Sequence, residues 1–185
     1  MYFYEKNIDI KTTFGWHFLE RENKTAAWYL NLFIPTHHGS RAKYLFEPTI
    51  GTGGHVGIGT GFDCDWTLYE DNDTRINWVN DIRYAYFFSH CEKRSLDLCS
   101  NGEWSRYMLV AKSGALDAAL PAINFFTRDV KITPRSNIEF LSMFHVEHKT
   151  WNVELGYNFW WRQKEKIALK CNEECAPAEV GISAP

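Results

Sequence analysis

Large apolar and polar residues alternate with a period of two through residues 137–162. In the second half of this stretch one parity holds Trp151, Val153, Leu155, Tyr157, Phe159 and Trp161. The other holds Asn152, Glu154, Gly156, Asn158, Trp160 and Arg162. Successive side chains of an extended chain point to opposite faces, so the pattern predicts a strand with one apolar and one polar face. The preceding stretch alternates too. Val130, Ile132, Ile138, Phe140, Phe144 and Val146 share one parity; Lys131, Thr133, Arg135, Asn137, Glu139, His145 and Glu147 share the other, with Leu141 and Met143 as departures. The parity persists across Pro134, which predicts a single long strand with a Pro-kinked outer end. His148-Lys149-Thr150 is short enough to be a hairpin turn.

The same design recurs upstream. Residues 7–19 set Ile8, Ile10, Phe14, Trp16 and Phe18 against Asn7, Asp9, Lys11, Thr13, Gly15 and His17. Residues 56–68 set Val56, Ile58, Phe62, Cys64 and Trp66 against Gly57, Gly59, Gly61, Asp63 and Asp65. The glycines invite a phosphate-loop reading, but they recur every second residue and no helical pattern follows. They predict a strand with one bald face, leaving room for a bulky group from elsewhere. Residues 75–88 set Ile76, Trp78, Ile82, Tyr84, Tyr86 and Phe88 against Arg75, Asn77, Asp81 and Arg83, with Asn80 intruding on the apolar side. Residues 25–34, apolar on both parities, read as a strand with Trp28, Leu30, Leu32 and Ile34 outward, or as a short helix, the strand being favoured because no helical period is clear. Shorter strands are expected at 41–47 and 104–112. Residues 89–103 read as a polar loop, and 113–124 show no clear period.

Length separates the candidate classes. A soluble strand usually runs about 5–6 residues, whereas a tilted membrane-crossing strand needs about 9–11. Both arms of the 137–162 hairpin reach the longer figure. Long amphipathic strands, short turns alternating with longer polar loops, and Trp- and Tyr-rich strand ends resemble bacterial outer-membrane β-barrels of the porin-like type. The resemblance covers most of residues 7–167 and is clearest at 55–68, 75–88, 137–147 and 151–162. It is one of pattern, without a fingerprint motif.

What the resemblance implies is an all-β, antiparallel up-and-down (meander) transmembrane-type barrel over residues 1–169. It has roughly eight long strands, or is part of a larger barrel, and a Cys- and Pro-containing loop or tail follows at 170–185. It implies that Ile76, Trp78, Ile82, Tyr84, Phe140, Phe144, Val153, Leu155, Tyr157, Phe159 and Trp161 face lipid. It implies that Asp63, Asp65, Arg75, Asn77, Asp81, Arg83, Lys131, Glu139, His145, Glu147, Glu154, Asn158 and Arg162 line a lumen. The expected location is the bacterial outer membrane, and the expected partners are membrane lipid and small solutes. Such a protein is exported behind a signal, and residues 1–6 do not read as one. The chain also does not end on a closing aromatic strand. The resemblance therefore implies a leader already removed, or a section of a longer chain.

Two other readings stay open. One is a soluble β-barrel that binds an apolar ligand, with the greasy face turned inward. The other is a barrel enzyme acting on lipids. The latter needs a Ser or His on the outer face near the rim, and Ser142 sits on that face inside the apolar band with no base beside it. The expectation is therefore a non-enzyme without a cofactor.

Composition changes the picture little. A net charge of −3 over 185 residues is too balanced for a nucleic-acid binder. No apolar run approaches the roughly 18 residues of a transmembrane helix. Aromatics make up 16% of the chain, including 8 Trp, an excess that interfacial Trp and Tyr explain. Of five cysteines, Cys91 and Cys99 bracket the polar loop and are candidates for a disulfide; Cys171 and Cys175 share the tail, and Cys64 stands alone on a strand. Neither pair has the spacing of a zinc ribbon or finger. His37 and His38 are adjacent, so they point opposite ways. His145 and Glu147 share a face, but no third partner is identifiable, which favours a hydrogen-bonding pair over a metal or catalytic site.

Overall fold

Alternation over 11 to 14 residues per strand produces one large sheet. The structure, a computed structural model, describes residues 9–36, 51–97, 101–112, 120–169 and 180–182. The large sheet is six-stranded and antiparallel. Its strands in chain order are β1 (Ile10–Arg21), β2 (Lys24–Ile34), β3 (Gly57–Glu70), β4 (Thr74–Phe87), and then β9 (Arg135–His148) and β10 (Trp151–Arg162). The spatial order is β1-β2-β3-β4-β9-β10. Between β4 and β9 come β5 (His90–Ser95), a 3₁₀ turn (Ser105–Tyr107), β6 (Leu109–Lys112), β7 (Leu120–Pro121), a four-residue helix α1 (Ile123–Phe126) and β8 (Thr127–Thr133). After β10 come β11 (Lys166–Leu169) and β12 (Val180–Ile182). No described helix is long and apolar enough to cross a membrane.

Pairing register carries each apolar row across the sheet. Trp28, Phe62, Ile82, Phe140 and Phe159 are joined partner to partner, as are Trp66, Trp78, Phe144 and Leu155. Because the side-chain period is two, a one-residue slip in any pair would swap that strand's faces. Every position expected to face lipid lies on this one face. It is bare: Leu155 is 72% exposed, Phe14 70% and Trp16 69%. On the large sheet only the small side chains Ala26, Ala27 and Cys64 are buried among the described hydrophobics; the larger buried side chains, Val110, Val130 and Ile132, belong to the smaller sheets.

Closure is not observed. Among the described residues no pairing joins β1 to β10 and the large sheet holds six long strands, where roughly eight strands closing a barrel were expected.

The single long strand expected through Pro134 is in fact two. β8 ends at Thr133, β9 begins at Arg135, and they belong to different sheets. Proline has no N–H for the ladder. Arg135 then takes φ 68°, a left-handed value that turns the chain. The break is shared. The small sheet has the order β11-β8-β5, and these strands extend β10, β9 and β4 across residues 163–165, 134 and 88–89. Three strands thus bend along one crease. Two further expectations change with it. The polar loop 89–103 contains β5, and residues 104–112 form a strand only from Leu109, after the 3₁₀ turn. The strand expected at 41–47 lies outside the described residues.

The bald face of β3 is filled as its glycines suggest. A side chain at Gly57 would collide with the Phe87 ring, at 2.6 Å from Cδ1. One at Gly61 would collide with the Tyr29 ring, which lies over the bare backbone. Aromatic rings covering strand glycines help pin register. At Gly59 the obstacle is backbone, the Tyr84 carbonyl oxygen at 2.8 Å, which has no rotamer to yield. Gly59→Val should destabilise the protein by about 1–3 kcal/mol through overpacking. The urea midpoint for refolding reads this, and an unchanged midpoint would contradict the close β3–β4 approach.

Candidate functional site: the polar face of the large sheet

Twelve of the thirteen residues expected to line a lumen share the face opposite the apolar rows, as the register dictates. They are Asp63, Asp65, Arg75, Asn77, Asp81, Arg83, Glu139, His145, Glu147, Glu154, Asn158 and Arg162. Lys131 is the correction. It lies on β8 in the small sheet, between Cys91 and Ala168, because the chain breaks at Pro134.

At the centre, Tyr29 crosses the bald strand to Asp81. Its hydroxyl donates to Asp81 Oδ1 at 2.7 Å. Arg83 pairs with the other Asp81 oxygen, and its Nε donates to the Tyr29 hydroxyl at 3.3 Å. Glu139 lies 3.9 Å from a second Arg83 nitrogen. One phenol, one guanidinium and one carboxylate therefore hydrogen-bond one another across β3, with Glu139 a longer ion-pair neighbour on β9. A strand with Trp28, Leu30, Leu32 and Ile34 outward puts Tyr29 on this face, but an apolar stretch that also reads as a short helix does not single it out. The cluster borders a shallow cavity of about 380 Å³ that Lys11, Thr13 and His17 also line.

Nearer the β9–β10 turn, His145 Nε2 lies 3.6 Å from Glu147 Oε1 and 4.0 Å from Glu154 Oε1. Glu154 is the cross-strand partner of His145. The third group beside His145 and Glu147 was hidden in the hairpin register: with Lys149 and Thr150 in the loop, residue 145 must face 154. No set of His, Cys, Asp and Glu among the described residues forms a metal site.

At the other end, the crease gathers charged side chains from distant segments. Arg94 on β5 bridges Glu92 at 2.6 Å and Glu165 at 2.8 Å. The Glu92 side chain is only 2% exposed, so this pairing keeps a buried carboxylate from standing alone. His55 is buried beside it. Its Nδ1 donates to the Phe88 carbonyl at 2.9 Å, and its ring meets His90 edge-on.

Farther out, Asp97 takes Arg106 Nη2 at 2.5 Å, which holds its carboxyl below the usual range. Cys91, which is exposed on β5, carries a free thiol. Cys99, Cys171, Cys175, His37 and His38 lie outside the described residues. The chain matches no protein-family model, no curated protein and no solved structure.

Burial pushes the His55 pKa below its ordinary value of 6.5, chiefly by desolvating the charged ring. The folded state thus binds this proton less readily than the unfolded chain. The stability that neutral His55 contributes is present above about pH 6.5 and is lost as pH falls below it. Unfolding midpoints measured between pH 7 and 5 should fall, and they should fall less steeply in His55→Gln. An identical slope in both proteins would refute this.

Proposed function

We propose that the six long strands form part of the wall of a porin-like β-barrel in a bacterial outer membrane, with the polar face lining a lumen that passes or binds small solutes. One observation carries the reading. A continuous apolar face six strands wide stands exposed, while the opposite face carries paired charges. In water, exposed apolar patches beyond a few hundred Å² are rare on monomers and mark a buried partner or a membrane. A protein wall facing lipid has this character.

Dimensions agree. The apolar row of β10 runs from Trp151 to Trp161, ten residues on. At about 3.4 Å per residue that is about 34 Å along the strand, and a tilt of about 40° reduces it to about 26 Å. The lipid-facing band of such barrels is about 25 Å tall. Trp151 and Trp161 sit at the two ends of the β10 row, where the membrane interface favours them.

β1 and β10 run antiparallel to each other, so further strands can join them without reversing direction. The barrel closes through such strands, since six enclose too little space for a lumen. A soluble apolar-ligand barrel would need the aromatic rows covered, and they are open. A lipid hydrolase would need a base beside Ser142. The Ser142 hydroxyl instead accepts from Trp78 Nε1 at 3.0 Å, and its partners across the ladder are Asn80 and Tyr157.

Leu155→Arg tests the lipid-facing row. Folding into lipid vesicles should weaken by roughly 2–4 kcal/mol if the residue lies near the bilayer middle. Glu154→Ala, on the other face, should fold nearly as well as the parent chain. Equal insertion of Leu155→Arg and the parent would reject the assignment.

A further inference from the structure

The crease between the two sheets encloses a cavity of about 590 Å³, within the range of small-molecule sites. Its walls come from the loop before β3, from β5 and from the end of β10, so only the folded chain assembles it. Trp160 offers an indole 58% exposed, on the polar side of the sheet. Around it stand Arg162, Gln163, Lys164 and Glu165. Arg94 and Glu92 complete the lining at the small sheet.

We infer that this cavity binds a small neutral saccharide, with one sugar face stacked on Trp160 and its hydroxyls shared among the surrounding side chains. Three features of the site lead to that class. An aromatic plane offers apolar area at low entropic cost and suits the C–H face of a sugar ring. The lining also mixes donors with acceptors. Arg162 and Lys164 only donate, Glu165 only accepts, and Gln163 does both, which matches hydroxyl groups that need both kinds of partner. Finally, three cations face two carboxylates, both bridged by Arg94, so the lining carries a net of only one positive charge. Arg162 and Lys164 have no ion-pair partner among the described residues, which leaves their hydrogen-bonding capacity available.

This deepens the barrel reading by naming a solute class, and it rests on that reading only for the route by which solute arrives. The test therefore measures binding apart from insertion. The refolded chain in detergent micelles is titrated calorimetrically with glucose, maltose and inorganic phosphate, and insertion into vesicles is scored separately.

Saturable binding of a sugar, with little response to phosphate, is expected. Trp160→Ala should weaken sugar binding at least about tenfold, and Trp160→Phe should retain most of it. Trp161→Ala, one residue on and facing the other way, should leave it unchanged. Circular dichroism checks that each variant is folded. Phosphate binding in place of sugar, or equal losses at Trp160 and Trp161, would overturn the saccharide site. Sugar binding without vesicle insertion would uphold the site and reject the barrel.

Discussion

The ladder of backbone hydrogen bonds across six long antiparallel strands is the constraint on which everything else depends. It ties the two-residue period of each strand to that of its neighbour. Trp28, Phe62, Ile82, Phe140 and Phe159 become a row only because four successive pairings keep register. The same pairings bring Tyr29, Asp81, Arg83 and Glu139 together on the opposite side. Apolar surface and charge network are two consequences of one alignment. Neither survives a slip of one residue.

Glycine and proline mark where this ladder departs from regularity. Gly57, Gly59 and Gly61 remove side chains from one face of β3, and the rings of Phe87, Phe33 and Tyr29 occupy the vacated space. Tyr29 thereby reaches across β3 to an aspartate on β4. Pro134 does the opposite: it interrupts pairing and, with Arg135 in a left-handed conformation, bends the chain. Neighbouring strands break at the same level, so the interruption becomes a crease across three strands.

Polar intrusions on the apolar face are only partly satisfied, since the buried Asn80 Nδ2 has no hydrogen-bond partner among the described residues. Asn80 is 7% exposed and pairs across the ladder with Cys64 and Ser142. The Ser142 hydroxyl is engaged by the Trp78 indole. Small residues Ala26 and Cys64 continue that row, so larger neighbours close over it. A row that sequence alone marks as flawed is thus shielded by the aromatics above and below it.

The long strands of the large sheet, which residues share a face on each, and the 137–162 hairpin were legible in the sequence, because alternation is a local property that each strand states for itself. The glycine row of β3 also announced, by its spacing alone, that something bulky must cover it. What covers it was not legible, since residues 25–34 read as a strand or a short helix and only pairing with β3 sets Tyr29 opposite Gly61. Lys131 shows the limit in reverse. Its parity matched the polar row, yet a break at Pro134 put it in another sheet. Parity propagates through a kink on paper, whereas hydrogen bonding does not. Which residues alternate is written in the chain; which alternating residues meet depends on register and on where the ladder breaks, and only the tertiary structure decides those.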